Sequence, residues 1–356
     1  MRLVWAEVVR IADERPGIQR VVVVLDHAEA IAIVYTALSG ACEVGEQVLL
    51  NTTAVDLELG TGGVHFVVAR AGSGSMLQDP SGGHIMKMRY SPLQRDVLSV
   101  EEEASEYADL MAEASDLDGM PVVCCGLHSQ ILPVAAAIKE RAAALRIAYV
   151  MTDGASLPLA LSDLVAEMRA VGLLDATITA GQAFGGEFET VTLHSALLAA
   201  KHVALADVTI VALGPGMTGT ATPFGHGGVA AGEAINAVAA LGGRPVAVLR
   251  MSFADARARH HGVSHHSLVA LGRVALARAT VAMPVIPPEH AEGVEAALDH
   301  AGVWRRHTRV DVPVGALPDT RGVPMRSMGR TPDDDPVFFA AGCAGGIVAA
   351  GMCLQD

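Results

Sequence analysis

Val208-Thr209-Ile210-Val211-Ala212-Leu213-Gly214-Pro215-Gly216-Met217-Thr218-Gly219 is the stretch whose reading decides the fold. Six apolar or β-branched residues run without polar alternation and stop at a glycine, as a strand covered on both faces does. A helical pattern follows at residues 229–241. Similar strand runs stand at 121–125, 146–151, 176–180, 245–251 and 280–285, with helical patterns at 131–144, 157–171, 191–205, 267–278 and 289–301. Strand and helix alternate about every 30 residues, the period of βαβ units in a parallel sheet. Six clear units are too few for an eight-fold barrel. The expectation is an open, doubly wound, mainly parallel Rossmann-like α/β sheet.

The N-terminal part reads differently. Residues 6–11, 19–25, 30–35, 47–50 and 64–69 form short strand patterns, with turns at Gly45-Glu46 and Gly60-Thr61-Gly62-Gly63. Val21-Val22-Val23-Val24 reads as a strand buried on both sides. A small all-β barrel or sandwich over 1–75, a connecting segment at 76–100 and the α/β domain at 101–356 are the expected divisions, a helix over 101–115 opening the last.

Composition bounds the partners. A net charge of -14 with 4% aromatic residues provides neither the cations for duplex binding nor the rings for single strands. No nucleic-acid partner is expected. Five cysteines without Cys-x-x-Cys spacing suit a reduced, cytoplasmic compartment, and Cys124-Cys125 reads as core packing. Glu7 interrupts the apolar N-terminus before a signal-peptide core could form. Residues 338–354 carry no charge, but Gly342, Gly345, Gly346 and Gly351 interrupt them, so a buried C-terminal helix is expected and no membrane span. Gly342 and Gly346, four apart, would admit a partner helix, which leads to the expectation of a homodimer.

Polar loops gather after the strands. They contain His128; Asp153; Gln182, Gly185 and Gly186; Gly214, Gly216, Thr218, Gly219 and Thr220; and Arg250, Asp255, Arg259, His260, His265 and His266. The helix-to-strand returns are plain by comparison. In an open parallel sheet all strand C-termini share one edge, and ligands bind there. Arg250, Arg257 and Arg259 suit a carboxylate or phosphate through bidentate hydrogen bonds. Ser264 is the expected N-cap of the following helix, which puts His265 and His266 in its first turn as neutral imidazoles. Asp153, His260, His265 and His266 are the candidate acid/base groups, and the remaining loop residues are candidate ligand contacts. The expected ligand is a small anionic metabolite, phosphorylated or nucleotide-like, and a non-catalytic ligand sensor or scaffold is the alternative from another class.

Three motifs qualify this reading. Gly214-x-Gly216-x-x-Gly219 matches the dinucleotide fingerprint, so a nicotinamide-dependent oxidoreductase is a further alternative, but Pro223 and later glycines delay the helix and Arg250 replaces an acidic residue at the end of the next strand. A metal site using His261 and His265 would need loop geometry, with Asp153, Glu187 or His128 from neighbouring loops. Ser129 and Ser156 lack the surround of a nucleophile elbow. No motif names a cofactor. Gly82-Gly83-His84-Ile85-Met86-Lys87, Tyr90-Ser91-Pro92-Leu93-Gln94, Thr152-Asp153-Gly154-Ala155-Ser156-Leu157-Pro158, Gly181-Gln182-Ala183-Phe184-Gly185-Gly186 and Arg259-His260-His261-Gly262-Val263-Ser264-His265-His266 occur together. With them the chain resembles, over nearly its whole length, a bacterial family catalogued as domain of unknown function 3866. That resemblance implies one complete unit and no activity.

Overall fold

Alternate residues of the first five strands are small or branched and apolar: Ala6 and Val8, Val21 and Val23, Ala32 and Val34, Val48 and Leu50, with Val67. They fill the inside of a closed barrel formed by β1 (Leu3–Arg15), β2 (Ile18–Leu25), β3 (Ala28–Tyr35), β4 (Gln47–Asn51) and β5 (His65–Arg70) in the order β1-β2-β3-β5-β4. Side chains of this size suit the narrow interior of a small barrel. Two register shifts in β1 supply curvature, and β4 pairs back onto β1 from Leu3↔Asn51 to Glu7↔Gln47, leaving no free edge. A barrel, not a sandwich, is therefore formed. In the computed structural model, residues 1–58, 63–72, 81–154 and 157–355 are described. The expected turn at 60–62, the connecting residues 73–80, and Ala155 and Ser156 lie outside the described residues. β6 (Ile85–Lys87) and β7 (Arg95–Val97) follow the barrel. Two compact units result, Met1–Asp96 and Val97–Asp356.

The second unit holds an eight-stranded sheet whose paired strands are all parallel. Its strands are β8 (Pro121–Cys124), β9 (Ile147–Thr152), β10 (Ala176–Thr179), β11 (Phe188–Glu189), β12 (Val208–Leu213), β13 (Arg244–Val248), β16 (Thr280–Pro284) and β17 (Thr308–Val312), in the order β11-β10-β9-β12-β8-β13-β16-β17. Between β13 and β16, β14 (Met251–Ser252) and β15 (Gly262–Val263) pair antiparallel as a short hairpin. The six expected strands are all present, and two edge strands are added. β11 is only two residues long, and β17 reads Thr-Arg-Val-Asp-Val with four exposed positions, so neither has the apolar run of a central strand.

β8 and β12 are buried at every position. Cys124 packs into the core on one face of the sheet and Cys125 into the core on the other, and burial pushes the Cys124 thiol up to about 12. The returns at the N-terminal edge are tied by carboxylates. Asp175 accepts from Ile147 N–H at 2.7 Å and from Lys139 Nζ at 2.8 Å, and Asp207 accepts from Arg146 N–H at 2.7 Å.

Pro336–Cys353 is the one described helix long and apolar enough to cross a membrane, and 61% of that span is buried inside the fold. Its glycines explain the packing. A Cβ on Gly342 would sit 2.6 Å from Pro133, and one on Gly346 would sit 2.3 Å from the Val134 carbonyl. Both belong to the helix Ile131–Arg141. The small-residue stripe assigned in the sequence to a partner helix is therefore occupied within the chain. Gly346→Ala is expected to lower stability by about 1–3 kcal/mol through overpacking, read as a lower urea midpoint; an unchanged midpoint would show that the two helices separate readily.

Candidate functional site

The order of the sheet creates the site. From β8 the chain crosses to β9, runs outward to β11, returns to place β12 beside β8, and then lays β13 on β8's other side. The winding direction reverses around β12, β8 and β13, and a crevice opens at the C-terminal ends of such strands. There a cleft of about 460 Å³ is lined by residues after β8 (Leu127, His128, Ser129), after β12 (Gly214 to Met217, Gly219, Thr220) and after β13 (Arg250, Arg257, Arg259, His260, His266). Arg326 and Met328 reach it from the segment before the last helix, where Ser327 Oγ and Ser129 Oγ are 2.9 Å apart.

Arg250 organises this edge. It is 4% exposed, its N–H donates to Ser267 Oγ at 2.8 Å, and its carbonyl accepts from Ser264 N–H at 2.9 Å. Its guanidinium donates to His266 Nδ1 at 3.1 Å and lies 3.7 Å from Asp255. Burial, then the Arg257 charge, lower it to about 10. Arg257 grips Asp255 through two hydrogen bonds of 2.9 and 2.7 Å, and these hold the Asp255 carboxyl well below the usual carboxylate range. Among the described residues, no Asp or Glu lines the cleft. Four arginines face it.

The histidines are neutral for the same reasons. Burial first, then the charges of Arg250 and Arg257, push His260 down to about 4. His266 is pushed down to about 2 by burial, by His226 and by Arg250. Since Arg250 can only donate, the proton of a neutral His266 sits on Nε2. His260 Nδ1 lies 2.7 Å from Ser264 Oγ, and the same Ser264 caps His266 N–H at 3.3 Å, as its expected N-cap role requires. The helix is shorter than the pattern suggested: His265–Val269 passes into a π-turn, Ala270–Val274, whose end is held by Asn236 through Leu276 and Ala277 N–H.

The remaining sequence candidates divide by position. Gly214, Gly216, Gly219, Thr220 and Arg259 line the cleft, and Gly216 adopts φ +83°, which favours glycine. His128 lines it as well, but Nδ1 donates to the Leu213 carbonyl at 3.1 Å and Nε2 is 2.7 Å from Ser162 Oγ, so both nitrogens are engaged. Burial lowers His128 to about 4. Thr218 borders a small neighbouring void and not the main cleft. Asp153 is exposed and packs where a Cβ on Gly181 would meet it; it does not line the cleft, nor do Gln182, Gly185 or Gly186. Gly185 and Gly186 close instead on Glu189 and Thr179. Glu187 pairs with Arg169, and His261 lies edge-on to Phe253. Asp255 serves as the arginine clamp.

Two contributors were missed in the sequence. His226, from Gly225-His226-Gly227-Gly228, stacks on the His266 ring at 3.8 Å. A titratable residue between glycines was the available signal. Arg326 follows β17 by fourteen residues in the long connection to the last helix, and with β17 itself unread as a strand nothing marked it. A second basic cleft, lined by Arg273, Arg278, Arg305 and Arg306, lies by the starts of β16 and β17 at the opposite edge, with no glycine loop and no histidine cluster.

The family described as Protein of unknown function (DUF3866) matches residues 31–346 of the 356. The chain belongs to that family. DUF3866 carries no reaction with it, and no curated protein and no solved structure matches the chain.

Histidines held neutral by the fold make stability depend on pH. Their folded pKa values lie below the unfolded value of about 6.5, so the unfolded chain takes up protons first as pH falls. The stability they contribute is complete above about pH 6.5 and is lost progressively toward about pH 4. Thermal midpoints should fall across that window, and less steeply for His128→Gln; parallel curves for the two proteins would contradict this origin.

Proposed function

We propose that this protein binds a small anionic metabolite, phosphorylated or nucleotide-like, at the C-terminal edge of its sheet and acts on it by proton transfer. One observation carries the reading: among the described residues, four arginines, two buried neutral histidines and no carboxylate line one cleft at the reversal of winding, in a chain of net charge -14, whereas the four-arginine cleft at the opposite edge has no buried histidine in its lining. A volume of about 460 Å³ is in the range of metabolite sites. Arg250 supplies a desolvated, preset guanidinium, and Arg257, Arg259 and Arg326 add charge at the mouth. Among the described residues the N–H groups of Gly216 and Met217 have no acceptor and suit phosphate oxygens.

His260 is the proposed base. It lines the cleft, is neutral, and is oriented through Nδ1 by Ser264. A bound anion would offset the arginine charges that depress its pKa and bring it closer to neutrality, where general bases work best. His266, with Nε2–H, is placed to donate to the ligand. A nicotinamide cofactor has less support. Thr220 N–H bonds to the Gly225 carbonyl at 2.7 Å, the loop makes a hairpin excursion, and the helix begins only at Ala230. That geometry does not set the third glycine against a helix N-terminus.

A non-catalytic ligand sensor is favoured by one feature, the lack of a carboxylate in the cleft to orient His260. Phosphorus NMR of a bound ligand separates the two: a changed spectrum with time supports the enzyme, and a constant spectrum supports the sensor. For binding itself, calorimetry against phosphorylated metabolites and nucleotides should find a ligand whose affinity falls about 30-fold or more in Arg250→Met. Exposed Arg259→Gln should weaken it by a smaller factor. Equal affinities in both variants would refute the site.

A further inference from the structure

Among the described residues, two buried ring nitrogens beside the cleft have no partner. His226 is 5% exposed, and its Nε2 lies 3.0 Å from the Pro223 carbonyl. A carbonyl only accepts, so Nε2 carries the proton and Nδ1 is a bare lone pair; that Nδ1 is buried and unbonded. His265 repeats this with the nitrogens exchanged. Nδ1 donates to the Arg259 carbonyl at 3.2 Å, and Nε2 is the buried, unbonded atom. A buried acceptor left without a donor is unfavourable, and such groups call for a water or an ion. Fixing the far N–H of a histidine on a backbone carbonyl is also how proteins aim the lone pair of a metal-binding imidazole.

One ring nitrogen from each of His226, His265 and His266 lies within 4.8 Å of the others. The glycine loop leaves room for them. A Cβ on Gly228 would lie 3.0 Å from His226 Nδ1, and one on Gly219 would lie 3.2 Å from the His226 Cβ.

We propose that His226, His265 and His266 bind a divalent transition-metal ion of the zinc class, with a coordination position left for solvent or ligand. An all-imidazole set suits zinc, cobalt or nickel and not magnesium or calcium. His226 and His265 already have their lone pairs bare. His266 changes more. Its ring is stacked on His226 with only 15° between planes, so their lone pairs cannot converge until the stack opens. Its proton passes from Nε2 to Nδ1, and the Arg250 guanidinium transfers to Asp255, already 3.7 Å away. Three neutral imidazoles then replace metal-bound water with no net proton released. Metal binding is measured without any anionic ligand, so its failure leaves the anion reading standing; with the metal bound, the ion takes the place of the His266 Nε2–H as the group that meets the anion.

The test is calorimetry of the full-length, chelator-stripped protein with zinc in a non-coordinating buffer, repeated with cobalt and its visible absorption. One equivalent should bind at micromolar or tighter affinity. His226→Ala, His265→Ala and the milder His265→Gln should each weaken it at least 100-fold, while exposed His194→Ala matches the wild type. Circular dichroism of each variant confirms that it is folded. No uptake by the wild type overturns the proposal, and so does uptake unchanged in folded His265→Gln, which would mean binding by surface histidines only.

Discussion

Burial of the Arg250 guanidinium is the constraint on which the functional edge depends. A charge at 4% exposure must be hydrogen-bonded and paired, and removing a partner from such a pair costs about 3–5 kcal/mol. Asp255 provides the countercharge, with Arg257 and Arg330 sharing it. The backbone of Arg250 meanwhile fixes Ser264 and Ser267, so the end of one strand, the histidine segment and the start of the next helix are set together. From this follow the tautomer of His266 and much of the depression of His260. Burial is what chiefly keeps the cleft's histidines uncharged, and for His260 and His266 the arginine charges that make the cleft attractive to an anion add to it.

The sheet explains why these groups meet at all. Placing β12 between β9 and β8 brings three loops distant in sequence to one crevice. Both central strands are buried throughout, so their ends are firmly positioned. The Pro336–Cys353 helix reinforces the same strands from one face: a Cβ on Gly345 would meet Val248, beside the exit to Arg250. A buried base thus supports the loops that carry the charge of the cleft.

Much of this was legible in the residues, and the reasons differ by element. Unbroken apolar runs such as 208–213 reveal strands covered on two faces, and short strand patterns between glycine turns reveal a small all-β first unit. β11 and β17 were hidden because edge strands need no apolar run. Closure into a barrel depends on pairing between β1 and β4, which no local pattern encodes. At the site, Arg250, His260 and His266 were visible as a dense cluster of titratable groups after a strand. Asp153 had the same local signature but follows β9, one strand away from the reversal of winding, and lies outside the cleft. His226 and Arg326 come to the site by loop paths that spacing does not predict.

An anomalous difference map from a crystal grown with tungstate, a heavy tetrahedral oxyanion resembling phosphate, tests the central claim most directly. The account predicts a peak in contact with Arg250 or its neighbours Arg257 and Arg259, beside the loop at Gly216. A peak confined to the opposite cleft of Arg273, Arg278, Arg305 and Arg306, or no peak at all, would contradict it.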